Sequence, residues 1–351
     1  MDGAHNLPSN FSPAPGLTLP EVSIVIVNWN SKDYVRGCLA SFFRHQPAFP
    51  IEIIVVDGGS FDGCDAMLAR EYPTVIFIQS ADNIGFARCN NLGARSARGK
   101  YLLLLNPDTE FIDESLEVLW QAANSLPQAG AIGCRLLNRD HSLQRSCVQS
   151  FPTAINQALD SEFLRRLVPN SRLWGMAPLH VDEGKPVEAE VISGACILVR
   201  RAWFEKVGGF TETYFMYGED LDLNYKLRRA GHPSYYVPTA TLVHFGGGSS
   251  NQSQSNFSTV MMRVSVHRFI ETHRGSASAF VYRMSLSISA LIRLVLIYPT
   301  LMFGNRVVSH GKNSVRKWSA ILRWSLGFTP EIAKPRGKTP VPASRIVANT
   351  D

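Results

Sequence analysis

The 351-residue sequence has six cysteines (Cys38, Cys64, Cys89, Cys134, Cys147 and Cys196), yet it contains no CxxC pair and no Cys/His cluster at zinc-ligand spacing. That excludes a zinc module and a small disulfide scaffold, and leaves reduced thiols as core residues. No GxGxxG follows the first apolar run, and neither GxxxxGK[ST] nor GxSxG occurs. A dinucleotide-binding Rossmann enzyme, a P-loop NTPase and an α/β-hydrolase therefore lack their signatures. No internal repeat is visible. Residues 1–20, MDGAHNLPSNFSPAPGLTLP, lack a basic start followed by an apolar core and read as a flexible, Pro-rich leader, not a secretory signal.

With 45% hydrophobic and 10% aromatic side chains, the chain has ample material for a core and is neither disordered nor collagen-like. Its net charge of +6 is unevenly placed: residues 304–351 carry nine basic and two acidic side chains, or +7, so residues 1–303 sum to −1. The basicity belongs to the C-terminal end.

From Val22 onward, short β-branched runs alternate with helical spacing. The run 22–27 reads as a strand buried on both faces, 51–56 as a second buried strand, and 74–79 and 101–105 as a third and a fourth strand. Residues 33–45, 62–72, 84–97 and 113–126 have helical periodicity. This alternation predicts βαβ units and an α/β fold with a mostly parallel twisted sheet flanked by helices. Ligands of such sheets bind beyond the carboxyl ends of the strands. The polar clusters Asn28/Asn30, Asp57/Ser60 and Asn106/Asp108 fall at those ends. Further on, 152–185 reads as an irregular or partly helical insert, 187–200 as one or two strands, 219–229 as a helix and 235–237 as a strand. Glu219, Asp220 and Asp222 in the first turn of that helix suit the positive end of its dipole. A strand-end Asp can hold a divalent cation that bridges a diphosphate, and another acid can act as general base toward a hydroxyl. That is a kit for transfer from a nucleotide-activated donor. As bland alternatives, Asp57 is a turn or cap residue, 106–108 a plain turn and His244 a packed side chain.

The pieces VSIVIVNWNS, IEIIVVDGGSFDG, NIGFARCNNLGARSARGKYLLLLNPD, VISGACILVRR, VGGFTETYFMYGEDLDL and HFGGGS, in this order, resemble the inverting family 2 glycosyltransferases of GT-A fold. The combination of NWN, LLLNPD and YGEDxDL looks most like the bacterial rhamnosyltransferase branch, which uses dTDP-L-rhamnose in cell-surface polysaccharide synthesis. The resemblance implies that Asp57 hydrogen-bonds the donor pyrimidine and that Asn28 and Asn30 lie in the first nucleotide-contacting loop. Asn83, Gly85, Phe86, Asn90 and Asn91 would line the donor-sugar side. Asn106-Pro-Asp108 takes the place of the DxD motif, with Asp108 and His244 at a Mg2+ or Mn2+ ion. Asp220 would be the general base, with Glu219 shaping the pocket beside it; Asp222 reads as structural. Two departures stand out: Asn106 replaces the first Asp of the metal motif, and Gly-Gly-Ser follows Asp57 where many relatives have Asn-Ala-Ser.

Residues 281–303 are apolar but broken by Arg283 and Arg293, and a central Arg costs about 2.5–3.5 kcal/mol in a bilayer span. Residues 314–328 place Val315, Trp318, Leu322 and Leu326 on one helical face, with Arg316 and Arg323 off it. Together these predict helices lying on an anionic membrane surface, the alternative being helices packed on the catalytic domain with solvated arginines. The apolar content disfavours nucleic acid as the partner.

The sequence thus predicts a leader over 1–20, a GT-A domain over 21–260, a helical membrane-surface segment over 261–330 and a flexible basic tail over 331–351. The function it implies is sugar transfer, with inversion, to a glycan or polyprenyl-diphosphate-linked glycan at the inner face of a bacterial plasma membrane. The alternatives are transfer from a UDP-hexose or galactofuranose donor, a nucleotidyltransferase, and a degenerate binding module.

Overall fold

A computed structural model describes residues 19–159, 184–246, 256–297 and 305–328. Most of the expected leader, the basic tail and residues 160–183 of the insert lie outside the described residues. A nine-stranded sheet runs in the order β3-β2-β1-β4-β10-β6-β11-β5, with β8 added on β11. One side of it is formed by β3 (Ile76–Gln79) at the edge, β2 (Ile51–Asp57), β1 (Val22–Asn28) and β4 (Tyr101–Leu105), all mutually parallel. β1 and β4 are buried along their whole length, which is why they read as unbroken apolar runs. The helices α1 (Lys32–Arg44), α2 (Cys64–Glu71), α3 (Phe86–Ser96) and α4 (Ser115–Ser125) fall where the periodicity predicts them.

The second half departs from simple alternation. β5 (Thr109–Phe111) follows β4 at once and pairs antiparallel with the far end of β11 (Ser234–His244). β6 (Ala131–Leu137) lies parallel to β11. Residues 187–200, predicted as one or two strands, form three: β8 (Val187–Ala189), β9 (Val191–Ile192) and β10 (Cys196–Arg200). β9 pairs with β7 (Val148–Gln149) in a separate two-stranded sheet. β10 inserts antiparallel between β4 and β6, so the sheet is mixed. β11 is much longer than the predicted 235–237, because a register shift between Val237 and Thr241 accommodates Pro238, which has no N–H to give to a ladder.

After α5 (Ala154–Ala158), α6 (Arg201–Lys206) and α7 (Glu219–Arg229), the chain ends its described part in three long helices. These are α8 (Asn256–Arg274), α9 (Ser276–Ile297) and α10 (Asn305–Ser325). They share a second apolar core, formed by Phe269, Ile270, Tyr282, Leu286, Ile321 and Trp324, that also takes in Val191 of β9 and Leu221 of α7. Asp222 on α7, read from the sequence as structural, is the polar link: it accepts from Thr211 Oγ1 at 2.5 Å and pairs with His273 Nε2 of α8 at 2.7 Å. The helical segment is thereby packed on the catalytic domain.

Gly93 sets how closely α3 approaches the sheet. A Cβ there would lie 2.5 Å from Val25 Cγ1 and 3.1 Å from Val56 Cγ2. Gly93→Ala should therefore lower stability by about 1–3 kcal/mol through overpacking, despite alanine's better helix propensity. Denaturant titration checks this; an unchanged or higher midpoint would contradict the packing.

Candidate active site

The carboxyl ends of the central strands and the start of α7 converge on a cavity of about 670 Å³, in the range that takes a nucleotide-sized ligand. Of the residues singled out from the sequence, Asn83, Gly85, Phe86, Asn106, Asp108, Glu219, Asp220 and His244 share its wall. Asn28, Asn30, Asp57, Asn90 and Asn91 are not among the side chains that line it.

The reason is register. β1, β2 and β3 bring Asn28, Asp57 and Gln79 abreast at the sheet edge. Asp57, 1% exposed, accepts from Asn28 Nδ2 at 2.6 Å, Ser60 Oγ at 2.6 Å, Ser60 N at 2.7 Å and Gln79 Nε2 at 2.9 Å. Four donors saturate that carboxylate, and Asn28 also reaches Asp62 Oδ1 at 3.1 Å. The pair braces the wall that Trp29 and Gly58 present to the cavity. Asn30 is exposed, in a left-handed turn at φ 51. Asn90 donates to the Phe86 carbonyl at 3.1 Å. Asn91 is a fastener: its side chain donates to the Phe210 carbonyl and accepts from the Phe210 amide, both at 2.9 Å.

Opposite, the pairing of His244 with Thr109 places His244 beside Asp108. Gln144 donates from Nε2 to Asn138 Oδ1 at 3.1 Å, so its Oε1 faces His244 Nδ1 at 2.7 Å as an acceptor. That assigns the ring proton to Nδ1. His244 Nε2 lies 3.3 Å from Asp108 Oδ1 and 3.4 Å from Asn106 Nδ2. Asn106 Oδ1 is buried without a hydrogen-bond partner. Among the described residues no group of three or more His, Cys, Asp or Glu side chains gathers to hold a metal ion. Asp108, His244 and the Asn106 amide supply one carboxylate, one imidazole and one carbonyl oxygen, donor types that suit a divalent cation.

The loop before α7 is held open by left-handed backbone at Tyr217 (φ 67) and Gly218 (φ 80). A Cβ on Gly218 would stand 2.9 Å from Ser265 Cβ of α8, so glycine is required there on both counts. The turn delivers Asp220 with Oδ2 accepting from Gly194 N at 2.9 Å and Oδ1 from Leu221 N at 2.8 Å. Burial raises the Asp220 carboxyl above its usual range, and these backbone donors oppose the rise. Glu219 is pushed up to about 8 by desolvation and then by Asp220. Sequence reasoning missed Trp29, Gln144, Arg263 and Lys317 on the cavity wall. Trp29 stood in view between the two asparagines; the others come from segments whose meeting leaves no local signal.

A twisted α/β sheet with a cleft at its strand ends, an acid at a helix start and an oxygen-rich corner opposite defines a GT-A sugar-nucleotide transferase architecture. Over 92% of both chains the fold matches a mannosyltransferase from Pyrobaculum calidifontis solved with GDP-Man and Mn2+, at TM-score 0.51 and 15% identity. Residues 23–208 match glycosyl transferase family 2, and the chain belongs to that family. It is 32% identical over 246 residues to the N-acetylglucosaminyl-diphospho-decaprenol L-rhamnosyltransferase of Mycobacterium tuberculosis, covering 66% of this chain and 78% of that one. It is also 27% identical to rhamnosyltransferase WbbL of Escherichia coli, covering 64% of this chain and 83% of that one. The chain is a rhamnosyltransferase-like glycosyltransferase of polysaccharide synthesis.

If Asn28 is the shared donor that keeps Asp57 and Asp62 apart, Asn28→Asp puts a third carboxylate between them. Stability at pH 7 should fall by about 1–3 kcal/mol, and the deficit should shrink near pH 4 as the introduced carboxyl takes up a proton. Unfolding midpoints at the two pH values test this, and equal deficits would refute it.

Proposed function

We propose that the chain transfers L-rhamnose from dTDP-L-rhamnose, with inversion, to a hydroxyl of a glycan or polyprenyl-diphosphate-linked glycan at the cytoplasmic face of a bacterial membrane. The observation that carries the reading is Asp220: a carboxylate on the cavity wall, oriented by two backbone N–H groups, at a strained turn before α7. Asp220 accepts the proton of the acceptor hydroxyl as that oxygen attacks the anomeric carbon, and a single displacement inverts the centre. The donor lies along the strand ends between Trp29, Asn83, Phe86 and the Asn106–Asp108 corner. Asn28 and Asp57 hold that wall in place, with Asn90 and Asn91 behind it. Asn106, Asp108 and His244 are the residues that would hold Mg2+ or Mn2+; when bound, such an ion neutralises the diphosphate leaving group. Gln144 orients the His244 ring for that role.

Asp220→Asn keeps the shape and removes the base. Transfer should drop by about 10²- to 10⁴-fold while the thermal stabilisation given by dTDP-L-rhamnose with Mn2+ persists. Near-normal turnover of the variant would remove the base assignment. A wild-type chain stabilised by no dTDP sugar would remove the donor assignment.

The membrane part of the proposal rests on α9. Its buried side (Ala279, Tyr282, Leu286, Ala290) packs into the helical core, while Phe280, Val281, Ile288, Leu291, Ile292, Val295 and Leu296 are exposed. By length and hydropathy α9 could cross a bilayer, but helices pack along its inner side, so it lies on the surface with the apolar stripe in the acyl boundary. Ile292→Asp combined with Leu296→Asp should abolish co-sedimentation with anionic phospholipid vesicles and leave the unfolding midpoint within about 0.5 kcal/mol of the parent. Undiminished vesicle binding would rule out this face.

A further inference from the structure

Two carboxyl groups, adjacent in sequence, share the cavity wall, and their surroundings differ. Asp220 has an N–H donor on each oxygen. Glu219 is 6% exposed, lines the same cavity, and its Oε2 is buried without a hydrogen-bond partner. A desolvated carboxylate with an unsatisfied oxygen next to a second carboxylate is the less stable anion of the two, so of the pair Glu219 is the one that favours a proton.

Building on the transfer reading, we propose that Glu219 acts as a neutral carboxylic acid, its O–H donating a hydrogen bond to an acceptor-sugar oxygen beside the hydroxyl that Asp220 deprotonates. The role is recognition: no bond to Glu219 forms or breaks, and its proton stays on it through the reaction. A donor suits a hydroxyl or acetamido carbonyl oxygen, and a neutral group adds no repulsion toward the donor diphosphate in the same cavity. Burial pushing the Glu219 carboxyl up to about 8 agrees with this state. Asp220 on α7 and Tyr214 ahead of the turn act on it electrostatically, and Arg263 of α8, Lys317 of α10, and Asp108 and His244 at the strand ends line the same cavity. Tyr214, whose phenol burial also drives upward, is neutral and leaves the proton on Glu219.

Two measurements decide it. The first needs no turnover. A carboxyl at 4.5 in the unfolded chain and about 8 in the native one binds its proton more tightly when folded, so ionising it costs stability as pH rises between those values. The thermal midpoint of Glu219→Gln minus that of the parent should therefore climb across that window and level off above it; a difference that stays flat from pH 5 to 8 overturns the neutral state. The second uses kinetics. Glu219→Ala should raise the acceptor KM by about tenfold, the equivalent of one lost hydrogen bond, with the donor KM little moved. Glu219→Gln, which offers an amide donor, should recover most of that loss. A Gln variant as poor as the Ala variant would mean that the charge is needed, and would overturn the proposal. If the parent chain transfers no sugar, the acceptor contact falls with the transfer reading, while the midpoint titration still decides where the proton is.

Discussion

A buried carboxylate needs either hydrogen-bond donors or a proton, and the architecture of this cavity follows from how each acid meets that demand. Asp57 takes four donors and becomes a structural hub. Asp222 takes a hydroxyl and an imidazole and joins the catalytic helix to the C-terminal helices. Asp220 takes two backbone N–H groups, enough to orient it while leaving it at the cavity wall. Asp108 lies 3.3 Å from His244 Nε2, at the corner that also holds Asn106, whose amide oxygen has no hydrogen-bond partner. Identical chemistry thus serves four purposes, separated by the donors within reach.

The C-terminal helices take part in the site. Ser265 of α8 closes on Gly218 and donates to the Met216 carbonyl at 3.3 Å, fixing the turn that presents Glu219 and Asp220. Arg263 of α8 and Lys317 of α10 stand on the cavity wall, adding positive charge to a pocket otherwise rich in acids.

Much of this was legible in the sequence because parallel central strands, buried on both faces, must be apolar throughout, and their polar successors must lie at the ligand edge. Asn106 and Asp108 emerged by that route, whereas Glu219, Asp220 and His244 came from the resemblance to the family's motifs. The same rule placed Asn28, Asp57 and Asn91 near the ligand but could not separate lining from bracing. That distinction depends on partners such as Gln79, set by register across β2 and β3, and Phe210, 119 residues from Asn91. The antiparallel β10 was hidden for a related reason. An apolar run buried in a sheet centre reads alike in either direction, and only the long connection before it reverses the strand.

The arginines that interrupt residues 281–303 show how a local pattern can be right about chemistry and wrong about place. A basic side toward headgroups was the sequence expectation. Arg283 instead donates to the Trp324 carbonyl at 3.2 Å, and Arg293 stacks over the Trp318 ring at 4.2 Å while donating to Ser289 Oγ at 2.8 Å. Both guanidinium groups thus turn toward α10, where aromatic faces and a helix-end carbonyl receive them, although Arg283 Nε is left without a hydrogen-bond partner. With the charges drawn inward, the outward stripe of α9 is uniformly apolar over about four turns. The cost that argued against placing this helix in a membrane applies to an isolated span with exposed arginines. In the folded chain the same arginines fasten α9 to α10, and the face left over is the one suited to lipid.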